Sequence, residues 1–196
     1  ALVADLSSES ECQRLADEIT DRVGTLDVLV NNAGANWAAP LDEYPDSAWD
    51  KVLGLNVKAV FHLTRKLVPA LAAAATPEDP ARVINIGSID GIKPPLLETY
   101  AYSASKAAVH HMTRVLARKL ASQHITVNAV APGPFQSRMM RATLERFGDS
   151  IAETNPLGRI GRDEDMAGVA IFLASQAGSY LTGAVIPVDG GISTTT

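Results

Sequence analysis

Strands alternating with helices of 12 or more residues predict an α/β domain built on a doubly wound parallel sheet. Three observations carry that prediction. Short, β-rich apolar runs at residues 26–30 (LDVLV), 82–86 (RVINI) and 125–130 (ITVNAV) have the pattern of strands buried on both faces. Stretches of helical length and period separate them. Each run also stops on a group that turns the chain: Asn31 to Gly34 (NNAG), Gly87 with Ser88, and Pro132 with Gly133. A length of 196 residues, 46% of them apolar, is enough for one real core, so residues 1–196 read as a single domain.

In chain order, LVADL (residues 2–6) reads as the tail of a strand. A helix follows from a capping box of Ser8 and Glu11; Leu15, Ile19 and Val23 continue its apolar face, and Gly24 ends it. LDVLV is the next strand. After a polar loop with Pro40 and Pro45, Ser47 and Asp50 predict a cap and then a long helix through about Leu71. TPEDP (residues 76–80) breaks that helix before RVINI. A loop through Pro94 and Pro95 leads into a helix from YSASK (residues 102–106) to about Ala121, with Ala104, Ala108, Met112, Val115 and Leu116 on its apolar stripe. ITVNAV follows. Residues 134–160 read as irregular or short-helical, residues 163–174 as a helix, and AVIPV (residues 184–188) as the last strand. Pro187 cannot donate to a ladder, so this strand belongs at an edge or is unpaired there.

Composition narrows the function. No apolar run reaches the ~18 residues of a membrane span, and the first residues lack a basic region with an apolar signal core, so a cytoplasmic protein is expected. A net charge of −5 and a pI near 5.3 offer no basic stripe for phosphates, which argues against nucleic-acid binding as the main function. The single cysteine, Cys12, rules out an intrachain disulfide and reads as a buried small hydrophobe. His62, His110, His111 and His124 show no metal-ligand spacing and read as packing or surface residues; no metal site is expected.

Tyr102 and Lys106, four residues apart on a helix, share one face. A free phenol titrates near pH ~10, and a nearby ammonium would lower that value, giving a pair able to move protons. Tyr100 has no such partner, since Ala104 stands four residues on. In doubly wound sheets ligands bind beyond the carboxyl ends of the strands. Asp5, the NNAG turn, Ser88 and the Pro132–Gly133 turn all fall at such ends.

NNAG after a strand, Asn56 in LNVKAVF, Ser88 in NIGS, Tyr102-x-x-x-Lys106, NAVAPG with a hydroxyl at Ser137, and VDGG near the end together resemble the short-chain dehydrogenase/reductase family over residues 2–191. VINIGS, YAYSASKAA and APGPFQSRM are most similar to its β-ketoacyl reductases, of the rhamnolipid-synthesis type. The resemblance implies a Rossmann-like sheet and hydride transfer with a nicotinamide cofactor. Tyr102 would donate a proton to a substrate carbonyl or take it back, and Ser88 would hydrogen-bond the carbonyl oxygen. Lys106 would lower the pKa of Tyr102 and hold the nicotinamide ribose. Asn56, a poor helix former in mid-helix, would position a water relaying protons from Lys106, or is a satisfied buried amide.

Cofactor contacts implied in the same way are Asp5 and Leu6 beside the adenine, with a turn-and-cap role open for Asp5. Asn32, Ala33 and Gly34 would lie along the adenosine ribose, with stabilisation of the central sheet as that motif's companion role. Pro132, Gly133, Phe135 and Ser137 would shape the nicotinamide pocket, with the Phe135 amide facing the carboxamide. NADP(H) is expected over NAD(H).

The family begins with a strand, a TGxxxGxG loop and a helix, then a second strand and helix, roughly 50–65 residues that this sequence does not contain. With a sheet order of 3-2-1-4-5-6, their absence leaves LVADL without a neighbour and LDVLV as an exposed apolar edge. The expectation is therefore a truncated or partial form of a longer reductase, aggregation-prone alone and poor at binding dinucleotide. Trp37, Leu96, Leu97, Met139, Met140, Leu144 and Phe147 fall where the family places cover over the site, which favours an apolar ketoacyl substrate or simply closes the core. Arg138, Arg141, Arg146, Arg159 and Arg162 could meet an acyl carrier protein or form a solvated face. Apolar residues on several faces of the helices from Ser47 and from Tyr102 imply a homodimer or homotetramer. Two other functions share these motifs: sugar-acid or polyol dehydrogenation, and a non-catalytic oligomerising fragment.

Overall fold

The computed structural model describes residues 1–195. Four strands, Val28–Asn31 (β1), Ala81–Ile86 (β2), Ile125–Pro132 (β3) and Val185–Val188 (β4), form one parallel sheet in the spatial order β1-β2-β3-β4. Between them run Glu9–Val23 (α1), Asp46–Leu53 (α2), Ala59–Ala74 (α3), Tyr100–Leu120 (α4), Arg141–Thr154 (α5) and Asp163–Ala174 (α6). The predicted α/β class holds, and β4 with its Pro187 is an edge strand as expected.

Alternation along the strands decides which side chains meet which helices. Leu29, Val83 and Val127 point to one face and pack with Leu63, Leu67 and Leu71 of α3, Ala16 of α1, and Ala117 and Leu120 of α4. Their neighbours Val28, Ile84 and Val130 point to the other face, against Met166, Val169 and Leu173 of α6. Burial on both faces explains why β2 and β3 are mostly apolar along their length.

Helix ends follow local chemistry. Ser8 caps α1, its Oγ accepting from the Glu11 N–H, and Gly24 closes it at φ 75°, where a side chain would be strained. Residues 2–6, expected to end a strand, form none: a strand needs a ladder partner, and none of the four strands pairs with them. The second helix begins at Asp46 after Pro45, with Ser47 inside its first turn and no side-chain cap. It also does not run straight through, because a π turn at Gly54–Lys58 joins α2 to α3. The buried stripe of α4 is Ala101, Ser105, Val109, Thr113, Ala117 and Leu120, one residue off the predicted stripe. That buried face meets the π turn through Ser105, which pairs with Asn56, and β2 through Thr113, which pairs with Asn85. Residues 141–154, expected to be irregular or short-helical, make a 14-residue helix preceded by a turn in which Ser137 Oγ accepts from the Met140 N–H.

Candidate active site

The strand ends and the first turns of α4 meet around Ser88. The backbone leaves β2 at Ile86, passes through Gly87 and places Ser88 in an extended conformation. Ser88 Oγ accepts the Asp90 N–H (3.2 Å) and so starts a tight turn over Ile89–Gly91. That turn lies against α4: a Cβ on Gly91 would come within 2.7 Å of the Ala107 backbone nitrogen, so this close approach needs glycine.

Tyr102 and Lys106 stand one helical turn apart on α4, as their spacing required. The Tyr102 phenol stands near enough to Ser88 for that hydroxyl to favour its ionised form. Lys106 is buried, donates from Nζ to the Ile86 carbonyl (2.7 Å), and lies 5.4 Å from the centre of the Tyr102 ring. Burial pushes the Tyr102 phenol above its ordinary value, against the effect of the Ser88 hydroxyl and with help from the Asp90 charge. The expected lowering of the phenol by Lys106 is therefore not what this structure has. Desolvation instead acts on the lysine, bringing it down to about 8 while the Asp90 charge opposes the fall. Burial raises the Asp90 carboxyl too, with Lys106 opposing.

Asn56 sits in the π turn, a break common at functional sites. Its side chain is buried and fully tied to protein: Oδ1 accepts the Ala35 N–H (2.8 Å), while Nδ2 donates to the Ala35 carbonyl (2.9 Å) and to Ser105 Oγ (2.9 Å). Ser105 in turn donates to the Tyr102 carbonyl (2.6 Å). This clamp holds the loop after β1 against α4. A Cβ on Gly34 in that loop would lie 3.4 Å from Asn56 Oδ1 and 3.9 Å from Lys106 Nζ, so the loop passes directly beside the lysine. Ser105 and Asp90 were not anticipated from the sequence. Their signals are positional: a hydroxyl three residues after Tyr102 that faces inward, and a carboxylate two residues after Ser88.

Below the site a chain of polar side chains crosses the sheet. Asn31 Nδ2 donates to Thr64 Oγ1 (3.0 Å) and Asn85 Oδ1 (2.8 Å), and Asn85 Nδ2 donates to Thr113 Oγ1 (2.9 Å). All four residues are buried, and the chain pins the ends of β1 and β2 between α3 and α4. The sheet-stabilising role expected of Asn32, Ala33 and Gly34 is carried by the residue before them, Asn31.

The residues expected around a cofactor fall into three groups. Leu6, Asn32 and Ala33 line one cavity of about 120 Å³ at the β1 edge, with Val30, Leu55 and Val60 among its other walls. Asp5 is exposed and does not line it; its carboxylate accepts the N–H (3.0 Å) and O–H (2.7 Å) of Ser7, which is the turn-and-cap geometry. Pro132 ends β3. Gly133 donates to the Val188 carbonyl (3.0 Å) and packs so closely on Asp189 that a Cβ would sit 2.6 Å from its side chain. Phe135 pairs with Gly161 in an isolated parallel bridge, its ring lying where a Gly161 side chain would be, and Ser137 is exposed in the turn before α5.

Comparison with known proteins adds to this geometry. A family profile described as enoyl-(acyl carrier protein) reductase matches residues 1–193. The rhamnolipids biosynthesis 3-oxoacyl-[acyl-carrier-protein] reductase of Pseudomonas aeruginosa is 50% identical over 193 residues, 97% of this chain and 75% of that protein. A 3-oxoacyl-[acyl-carrier-protein] reductase of Thermotoga maritima is 36% identical over 190 residues, again 97% of this chain and 75% of its own length. Among solved structures, an active-site complex of Pseudomonas aeruginosa RhlG with NADP superposes with a TM-score of 0.94 at 49% identity, covering 98% of this chain and 76% of that one. A gluconate 5-dehydrogenase from Burkholderia cenocepacia, in complex with NADP and tartrate, gives 0.90 at 31% identity, covering 98% and 74%.

Proposed function

Because the chain belongs to the short-chain dehydrogenase/reductase family, we propose that it is an NADP(H)-dependent oxidoreductase that reduces the ketone of a 3-ketoacyl thioester, with Tyr102 as proton donor. The observation that carries this reading is buried Lys106, its Nζ 2.7 Å from the Ile86 carbonyl at the strand end that leads to Ser88 and 5.4 Å from the centre of the Tyr102 ring.

The residues present fit a nicotinamide dinucleotide. The Lys106 ammonium has three donors, of which the Ile86 carbonyl takes one, leaving N–H groups for ribose hydroxyls. The Gly34 loop passes directly beside it, and the cavity lined by Leu6, Asn32 and Ala33 offers an apolar wall for the adenine end. Pro132, Gly133, Phe135 and Ser137 would hold the nicotinamide end. The bound cofactor would supply the hydride.

The chain's own side chains do the rest. Ser88 and Tyr102 both reach a single substrate oxygen, the arrangement a carbonyl requires as charge develops on it. Burial keeps the phenol protonated near neutral pH, so Tyr102 enters the reductive direction as the acid. It gives its proton to the oxygen as the carbonyl carbon accepts hydride, and Lys106 stabilises the phenolate left behind. Asn56 acts by position, holding the Ala35 loop and, through Ser105, the first turn of α4.

The relatives at 50% and 36% identity act on 3-oxoacyl groups by their names, and exposed Leu96, Met139 and Phe147 suit an acyl chain. An acyl carrier protein would be the partner that presents it. Sugar-acid or polyol dehydrogenation is the second reading, supported by the gluconate 5-dehydrogenase likeness at 31% identity. Exposed Phe61 on α3 and Val115 on α4 would be covered in a homodimer or homotetramer. No helix among the described residues is long and apolar enough to cross a membrane, and the reading goes with a cytoplasmic location, where Cys12 stays reduced.

The test is a fluorescence titration with NADPH followed by addition of an acetoacetyl thioester, run beside gluconate with NADP⁺. NADPH oxidation with the thioester supports ketoacyl reduction. Turnover of gluconate alone moves the chain to the second reading, and no binding of either dinucleotide by residues 1–196 moves them to the non-catalytic oligomerising fragment.

A further inference from the structure

Tyr44 follows the short turn Leu41–Glu43 ahead of α2 and takes no part in the chemistry above. Its hydroxyl reaches a distant part of the chain and is used in both directions. It accepts the Ala101 N–H (3.2 Å) and donates to the Trp37 carbonyl (3.3 Å). The ring is held as well: it meets Trp49 of α2 edge-on at 6.1 Å and 64°, and Tyr100 of α4 at 5.2 Å and 83°.

What that hydroxyl does follows from where Ala101 stands. The first N–H groups of a helix have no carbonyl partner within it, and a side chain at the N-cap ordinarily takes one of them. Thr99 holds the N-cap position of α4 but makes no such bond; its hydroxyl turns back to the Leu97 carbonyl (3.4 Å). The acceptor is Tyr44 instead, 57 residues earlier in the chain. Ala101 is 0% exposed, so without Tyr44 its N–H would have no water to replace the bond. Tyr102 is the next residue on that turn. A backbone bond from the Ala39 N–H to the Glu98 carbonyl (3.3 Å) joins the same two parts of the chain nearby. The Trp37 loop and the first turn of α4 are thus fastened to each other through one hydroxyl.

We propose that Tyr44 is a positioning residue for Tyr102: its hydroxyl supplies, from outside the helix, the cap that α4 does not supply for itself, and so fixes the turn on which the proton donor stands. The proposal rests on the reading that Tyr102 is that donor. It requires the hydroxyl and not the ring alone. Tyr44→Phe keeps both edge-on contacts and removes the two bonds, whereas Tyr44→Leu removes ring and hydroxyl together.

Amide hydrogen exchange, the carbon NMR signal of the Tyr102 ring and steady-state kinetics on both variants test it. Loss of a helix cap predicts exchange about 3- to 10-fold faster at the Ala101 amide in Tyr44→Phe, with Val83 and Val127 in the core unchanged and the Tyr102 signal shifted. The kcat for reduction of an acetoacetyl thioester falls by a similar factor, while KM for NADPH moves less than about 2-fold. Wild-type behaviour of Tyr44→Phe beside a damaged Tyr44→Leu would reduce Tyr44 to a packing residue. Faster exchange spread evenly over core and turn, or a loosened Ala101 amide with unchanged kcat, would each overturn the proposal. Should the wild-type chain show no turnover, that result counts against the catalytic reading. The Ala101 exchange and the Tyr102 signal then decide whether Tyr44 holds the turn, and either one unchanged in Tyr44→Phe overturns it.

Discussion

Ser88, Tyr102 and Lys106 stand on the end of β2 and the start of α4, where neighbouring polar groups are bonded inside the protein and the lysine is buried. The segment between β3 and α6 is built differently. Its helix α5 has no buried residue, Met139 and Phe147 are 47% and 45% exposed, and Arg138 and Arg141 face solvent. Groups that handle a proton need fixed distances, which only packed elements supply. Groups that meet a variable acyl chain or a carrier surface need adaptable contact instead. One chain can thus hold its chemistry constant while the cover over it changes.

If that division is right, changes in the packed region should act on kcat and changes in the exposed segment on KM. The largest effect belongs to Tyr102→Phe, which removes the proposed proton donor and keeps the ring. A fall in kcat of about 10²–10⁴-fold is expected, with circular dichroism and NADPH affinity close to wild type. Retention of most of the activity would transfer the acid role elsewhere. Ser88→Ala should cost about 10²–10³-fold in kcat, measured with an acetoacetyl thioester. Its hydroxyl also caps the Ile89–Gly91 turn, so a thermal melt on the same sample separates loss of catalysis from loss of the turn.

The pH profile gives a smaller effect from the same region. Lys106 titrates at about 8 in the folded protein, below its ordinary 10.5. Above about pH 8 its cation is lost, and kcat/KM for reduction should fall by up to about tenfold per pH unit, since that ratio reports the free enzyme. The corresponding stability change has the opposite sense. The charged lysine is the form that folding disfavours, so its contribution to stability improves as pH rises from about 8 towards 10.5. A denaturant series across that window, compared with Lys106→Met, isolates the term; a flat profile in both activity and stability would place the lysine outside the titrating set.

The same contrast explains what the sequence disclosed. The β2 and β3 runs were legible because burial on both faces leaves mostly apolar residues, and α6 because its acidic first turn marks its start. Ser88, Tyr102, Lys106 and Asn56 converge because helical spacing and strand ends fix their places. The misreadings have physical sources. LVADL has strand propensity but no ladder partner in this sheet. The apolar stripe of α4 was assigned to Ala104, Ala108, Met112, Val115 and Leu116, yet the buried face carries Ala101, Ser105 and Thr113, because polar side chains are needed there to meet Asn56 and Asn85. In α5, Gly148 interrupts a stripe of Leu144, Phe147 and Ile151 that is only partly covered, so the helical signal was weak. The Tyr102–Lys106 pair was read as a charge acting on a phenol. Burial, which spacing does not reveal, turned out to dominate both groups.

The smallest predicted effect tests the exposed side of the division. Arg138 and Arg141 lie on the surface before and at the start of α5. If they steer an acidic carrier, reversing both to glutamate should raise KM for a carrier-bound 3-ketoacyl substrate about 3- to 20-fold, since exposed charge contacts contribute roughly 0.2–1 kcal/mol each and reversal also adds repulsion. KM for a small thioester and kcat for either substrate should stay near wild type. Salt provides the internal control: the gap between variant and wild type should narrow as ionic strength rises past about 0.15 M, where the screening length is about 8 Å. Equal effects on the carrier-bound and the small substrate would mean that α5 is coupled to the packed floor after all, and the separation between fixed chemistry and adaptable cover would have to be redrawn between α4 and β3 rather than after β3.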